Sequence, residues 1–247
     1  VGFWAAARAS RELATRTKPG VEPATLARGR EALAELKSRG AQFCIALLHA
    51  GCLRTNRPDP EDVALIDDLA TAGFDIVGAS HSHRISGYKF IRRAHGDTAH
   101  CFYGLGSLVS GYVASSEERE GLVIVAGLTN DGALATLEVH AVQLDSDGLG
   151  AIPAPTEAAA ILDRFRILSR ELADGTFERA FYDEVARGLG SVYLRDVRAA
   201  FRQGGVSGLL KKAGRVRTRH LKRLLYKVGG FRSIHPTAGA SPANSHD

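Results

Sequence analysis

One pattern occurs twice in this chain and constrains its fold more than any other: a helix-like stretch, a short apolar strand, and a histidine where the strand ends. Pro23 to Ser38 reads as the first helix, with Leu26, Leu33 and Leu36 near one face and Gly40 as its stop. Gln42 to Leu48 is a short apolar run suited to a buried strand, and it delivers His49 and the loop Ala50 to Pro58. Pro60 to Thr71 reads as the second helix, with Val63, Ile66, Leu69 and Ala70 inward and Gly73 as its end. Phe74 to Val77 is the next buried strand, and it delivers Gly78-Ala79-Ser80-His81-Ser82-His83. Alternation of this kind, sustained over residues 21–143, predicts an α/β fold, and open α/β sheets place ligand sites at the carboxyl ends of their strands.

Shorter strands are predicted around Tyr88 to Arg92, Ala99 to Tyr103, Leu122 to Leu128 and Ala133 to Leu144. The turn Tyr103-Gly104-Leu105-Gly106-Ser107 separates two of them, and Asn130-Asp131-Gly132 reads as a hairpin turn. Beyond Pro153 and Pro155 the pattern turns to helices over 156–173, 176–187, 190–203 and 206–228. A boundary near residue 151 therefore divides a first domain, 1–150, from a helical segment, 151–232, followed by a Pro/Ser/Ala/Gly-rich tail, 233–247, expected to be disordered.

With 247 residues and 45% apolar side chains the chain can bury a substantial core. No stretch approaches the ~18–20 apolar residues needed to cross a bilayer, and no signal-peptide pattern opens the chain, which favours the cytoplasm. The chain starts at Val1 and contains no Met, so it reads as a candidate fragment with further domain sequence upstream. Cys44, Cys52 and Cys101 are too sparse for a disulfide framework and read as reduced. Charge is unevenly spread: residues 195–232 hold 12 of the 32 Lys and Arg but only Asp196 among the 27 acids.

His81-Ser82-His83 is the sharpest local feature, because imidazoles one residue apart can converge on one site when the backbone extends or turns. With His49 from the preceding strand, three nitrogen donors could meet at one sheet edge, a set suited to first-row metals. Spacing alone leaves the bland alternative standing, since an isolated H-x-H arises by chance; the paired strand-end placement raises it to a site hypothesis. Arg54 and Arg84 flank the two loops, where charge-assisted hydrogen bonds could hold an anionic substrate. His95, His100, His140, His220, His235 and His246 read as surface or solvated residues.

Four segments in order, Leu48-His49-Ala50-Gly51, Leu69-Ala70 through Gly73-Phe74-Asp75-Ile76-Val77, His81-Ser82-His83, and Tyr103-Gly104-Leu105-Gly106-Ser107, resemble the distal half of the CapA-type, poly-gamma-glutamate capsule synthesis family. The matching blocks there are a "HWG" motif, a "la..lidaGaDvviG.HpH" block and a "YSLGN" turn, and the likeness covers roughly residues 40–130. The resemblance implies a calcineurin-like metallophosphoesterase β-sandwich flanked by helices, with a C-terminal helical segment after it. It further implies two divalent ions (Mn, Zn or Fe), His49 and His81 on one and His83 on the other, and metal-assisted hydrolysis of a small phosphorylated or polyanionic substrate.

The family's D-x-H, G-D and G-N-H segments are not found among residues 1–48, so the chain as given is expected to be inactive or strongly impaired. The acid after "HWG" is represented by Leu53, and the Asn of "YSLGN" by Ser107, which points to a divergent subgroup. Two rivals stand beside this reading. One is a closed zinc site of His49, Cys52, His81 and His83. The other is a non-catalytic assembly factor that meets an anionic membrane surface, as a peripheral protein, through the basic stretch 206–228. Specific nucleic-acid recognition lacks any accompanying zinc finger or RNP motif.

Overall fold

The computed structural model describes residues 1–8, 13–15, 17–111 and 115–187. The described residues belong to one compact unit, Val1–Gly188. The expected helices at 190–203 and 206–228 and the tail 233–247 lie outside the described residues.

The element order is β1 (Gly2–Ala7), α1 (Leu26–Ser38), β2 (Cys44–Ala50), α2 (Pro60–Ala72), β3 (Ile76–His81), β4 (Tyr88–Arg92), β5 (Thr98–Phe102), a 3-10 turn η1 (Ser116–Arg119), β6 (Glu120–Leu128), β7 (Leu134–Leu144), β8 (Gly150–Ala151) and α3 (Pro155–Asp174). A further helical stretch covers 177–187. The fold is mixed α/β. A five-stranded sheet has the order β1-β2-β3-β5-β4, parallel except for the antiparallel β4–β5 pair, and a three-stranded antiparallel sheet has the order β6-β7-β8.

Local chemistry sets the helix limits. Thr25 accepts a hydrogen bond from the Arg28 amide at the start of α1, two residues later than Pro23. Residues 23–24 are drawn instead into extended pairing beside β1, where the Ala24 amide donates to the Ala7 carbonyl. At α2, Asp59 is the N-cap, Pro60 opens the first turn, and Gly73, at φ 129°, supplies the C-cap that a side-chain-bearing residue rarely adopts.

Two cores flank the large sheet. Trp4, Ala46, Leu48, Val77 and Ala79 pack with Ile66, Leu69 and Phe74 of the α2 region on one side. Ile76, Ile85 and Phe102 pack with Leu122 of β6 and with Ile161, Phe165 and Leu168 of α3 in the other. The compact unit thus runs to Gly188, where sequence composition had suggested a change of domain near 151: the apolar stripe of α3 is core. Phe181 is fully buried, so the helical stretch that carries it belongs to the same packing.

The glycine turn joins the sheets. The Leu105 amide donates to Ala79 of β3, the Leu122 amide to Leu105, and the Ser107 amide to Glu120. Gly106 lies against the Glu120 carbonyl and Gly121 against the Ser107 carbonyl, closer than any Cβ would allow.

Candidate functional site

The carboxyl ends of β1, β2 and β3 come together at Ala7, Ala50 and His81. Register pairs Ala7 with His49, His49 with Ser80 and Ala50 with His81. His49 and His81 are therefore offset by one residue across adjacent strands, which under strict alternation would send them to opposite faces. β3 ends at His81, and the two rings lie 4.3 Å apart between centroids with a 53° tilt. His49 is exposed and His81 half-buried. The strand expected over 74–77 is found over Ile76–His81: Gly78 lies against Leu47 and Leu105, and Ala79, Ser80 and His81 keep pairing with Leu48, His49 and Ala50 of β2.

His83 is exposed and has φ 59°, one of two non-glycine residues in the left-handed region among the described residues. The other is Arg54, φ 63°, on the facing loop. Such conformations persist only where surrounding bonds fix them, and they concentrate at functional loops. Here the Arg54 amide donates to the Ser82 carbonyl at 3.0 Å, and buried Ser82 closes a turn by donating from Oγ to the Arg84 carbonyl at 2.9 Å.

Asn56, buried between the two loops, donates from Nδ2 to the Ile85 carbonyl at 3.1 Å and accepts from Arg84 Nη1 at 3.2 Å. The two candidate substrate arginines meet consecutive acids of η1: Arg54 lies 3.4 Å from Glu118, and Arg84 lies 3.0 Å from Glu117. Arg84 also lies 3.8 Å from Glu184 and donates to Ser115 Oγ. With 15% of its side chain exposed against 48% for Arg54, Arg84 is the more enclosed of the pair.

Arg8, which the sequence reading did not single out, stands at the carboxyl end of β1. Its amide donates to the His49 carbonyl at 3.1 Å, and its guanidinium pairs with Glu61 at 2.8 Å and Asp62 at 3.0 Å on the first turn of α2. Only the pairing of β1 with β2 reveals it, and Gly2–Ala7 carries too little strand-forming chemistry to announce that pairing.

Two imidazoles at adjacent strand ends fit part of the donor set that a first-row divalent ion takes. Among the described residues no group of three His, Cys, Asp or Glu is assembled to hold one: His83 does not join the pair, nor does Cys52 complete a closed zinc site with it. Among the same residues no helix is long and apolar enough to cross a membrane.

Residues 2–112 match the family described as the bacterial capsule synthesis protein PGA_cap, so the CapA-type resemblance read from four motifs holds and extends back through β1. No curated protein matches the chain.

Proposed function

We propose, taking the likeness of residues 2–112 to the bacterial capsule synthesis proteins as premise, that this chain carries the histidine-bearing part of a divalent-metal-dependent phosphoesterase of calcineurin-like type. The observation that carries the reading is the His49–His81 pair, with centroids 4.3 Å apart at the carboxyl ends of adjacent parallel strands. These two would hold one ion and His83 would contribute to a second, with the other donors drawn from outside the described residues. Bound ions would polarise a phosphoryl oxygen and lower the pKa of an attached water.

The chain's own residues have separable tasks. His49 and His81 bind through neutral ring nitrogens. Arg54, about half exposed beside Glu118, contributes positive charge at the mouth of the site for an anionic ester. Arg84 anchors the second loop, its charge met by Glu117 and Glu184.

Cobalt(II) titration followed by its visible absorption tests this reading. The whole chain should take up cobalt, and His49→Ala or His81→Ala should each weaken uptake at least about tenfold, as loss of one of few donors requires. A chain that takes up none, or variants that bind as tightly as the parent, would overturn it. Hydrolysis of p-nitrophenyl phosphate by the metal-loaded protein would then establish the reaction class.

The charge of residues 195–232 favours a second reading, attachment of a non-catalytic assembly factor to an anionic surface. Vesicles containing phosphatidylserine should then retain the chain at low salt and lose it on deletion of 206–232; unchanged retention removes the reading.

A further inference from the structure

We infer that Glu184 is a positioning residue that holds both histidine-flanking loops in register from the helical stretch 177–187. One of its carboxylate oxygens accepts from the Asn56 amide at 3.0 Å and the other from the Arg57 amide at 3.3 Å. The same carboxylate lies 3.8 Å from Arg84 Nη1 on the second loop and 3.9 Å from Arg57 Nη1 on the first.

The first loop, residues 51–59, has no strand or helix to satisfy its amides. Two successive backbone donors in a part-buried place need an acceptor, and Glu184 supplies both. Its charge is met by two guanidiniums, so the arrangement is a closed set of opposite charges with hydrogen bonds to spare. Removing the carboxylate leaves Asn56 and Arg57 with unsatisfied amides and deprives Arg84 of one of its two carboxylates.

Arg84 in turn holds Asn56, which holds Ile85, and the Arg54 amide holds Ser82. Displacing the first loop at 56–57 therefore moves the residues on either side of His83 and, one residue further back, His81. Glu171 of α3 is the internal control. It grips the same Arg57 side chain with two hydrogen bonds, 2.7 and 2.8 Å, yet touches neither loop amide nor Arg84. Two carboxylates thus share one arginine, and only one of them reaches the loop backbone.

The inference concerns the metal-binding histidines of the proposed function and rests on that reading for its consequence, though its structural part is independent. Amide hydrogen exchange on the whole chain reads the structural part. Glu184→Gln should speed exchange over residues 52–58 and 82–86 by about tenfold or more relative to Glu171→Gln, while the two variants melt at similar temperatures. Glu184→Asp, which keeps the charge but not the reach, should show the same local acceleration if the glutamine variant fails to fold.

Cobalt titration reads the consequence: Glu184→Gln should bind several-fold more weakly, with a shifted absorption band, and Glu171→Gln should bind as the parent does. Equal exchange in the two glutamine variants, or acceleration spread over the whole chain, overturns the inference. If the parent takes up no cobalt, the metal reading falls and exchange alone decides the positioning role.

Discussion

Arg93, which follows β4, ties that strand to the end of α2 and the start of β3. It donates to the Ala70 carbonyl at 2.8 Å and to Phe74, both at the end of α2, and pairs with Asp75 at 3.2 Å and with Asp97. Asp75 in turn accepts from the Cys44 amide at 2.7 Å. With 9% of its side chain exposed, Arg93 cannot be removed without leaving part-buried Asp75 short of its charge partner and the Phe74 carbonyl short of its donor. Arg93→Ala should lower unfolding free energy by ~3 kcal/mol or more, measured by urea denaturation, with Arg93→Lys recovering only part of it. His100, read from sequence as solvated, is half-buried against Tyr88, whose hydroxyl lies 2.7 Å from Nδ1. Burial, aided by Arg93, lowers its pKa below the ordinary 6.5. The unfolded chain then binds the extra proton first, so stability should fall as pH drops below about 6.5, and His100→Gln should flatten that slope in a series of thermal melts. The thiols should separate likewise. Cys101 is fully buried and pushed up to about 12, so iodoacetamide at pH 8 should label partly exposed Cys52 first, as peptide mass mapping will show. At this scale the strand-end positions of His49 and His81 are legible in the sequence, because a polar residue closing an apolar run is visible locally. It could not announce that Arg84 is met by Glu117 and Glu184, whose carboxylates arrive from distant stretches of chain.

Among the elements, α2, β4 and β7 stand where their patterns placed them to within a residue, because caps and alternation are local. β1 went unrecognised for the opposite reason: Gly and Ala disfavour strands, and the segment is a strand by virtue of lying alongside β2. β3 was read four residues short at its histidine end, since Gly78-Ala79-Ser80 looks like a loop until Leu105 is seen packed against Gly78. A similar closeness ties α3 to the large sheet. A Cβ at Gly87 would sit 2.6 Å from the Leu168 backbone, and Tyr88 donates its amide to Ser169 Oγ at 2.9 Å. Gly87→Ala should therefore push α3 away and cost about 1–3 kcal/mol, read as a lower melting temperature with the far-ultraviolet spectrum unchanged. Arginine 8 belongs to the same lesson, visible only once β1 is in place.

Across the whole unit, the strands give way to helices after β8, and packing carries the same body on to 188. Ile161, Phe165, Leu168, Leu172, Phe181 and Val185 are all buried, so the helices close both cores. A chain cut after residue 150 should lose cooperative unfolding, whereas one cut after 188 should keep it; calorimetry of the two distinguishes the outcomes. The seam at residues 104–107 carries one more consequence. Its amides at Leu105 and Ser107, and that of Leu122 beyond it, all end on backbone carbonyls between the two sheets, so a stretch assigned to no strand should hold its protons against heavy water as long as the strands around it. A spectrum taken hours after dilution into deuterium oxide would then keep resonances from a loop, and their disappearance would time the moment the two sheets part.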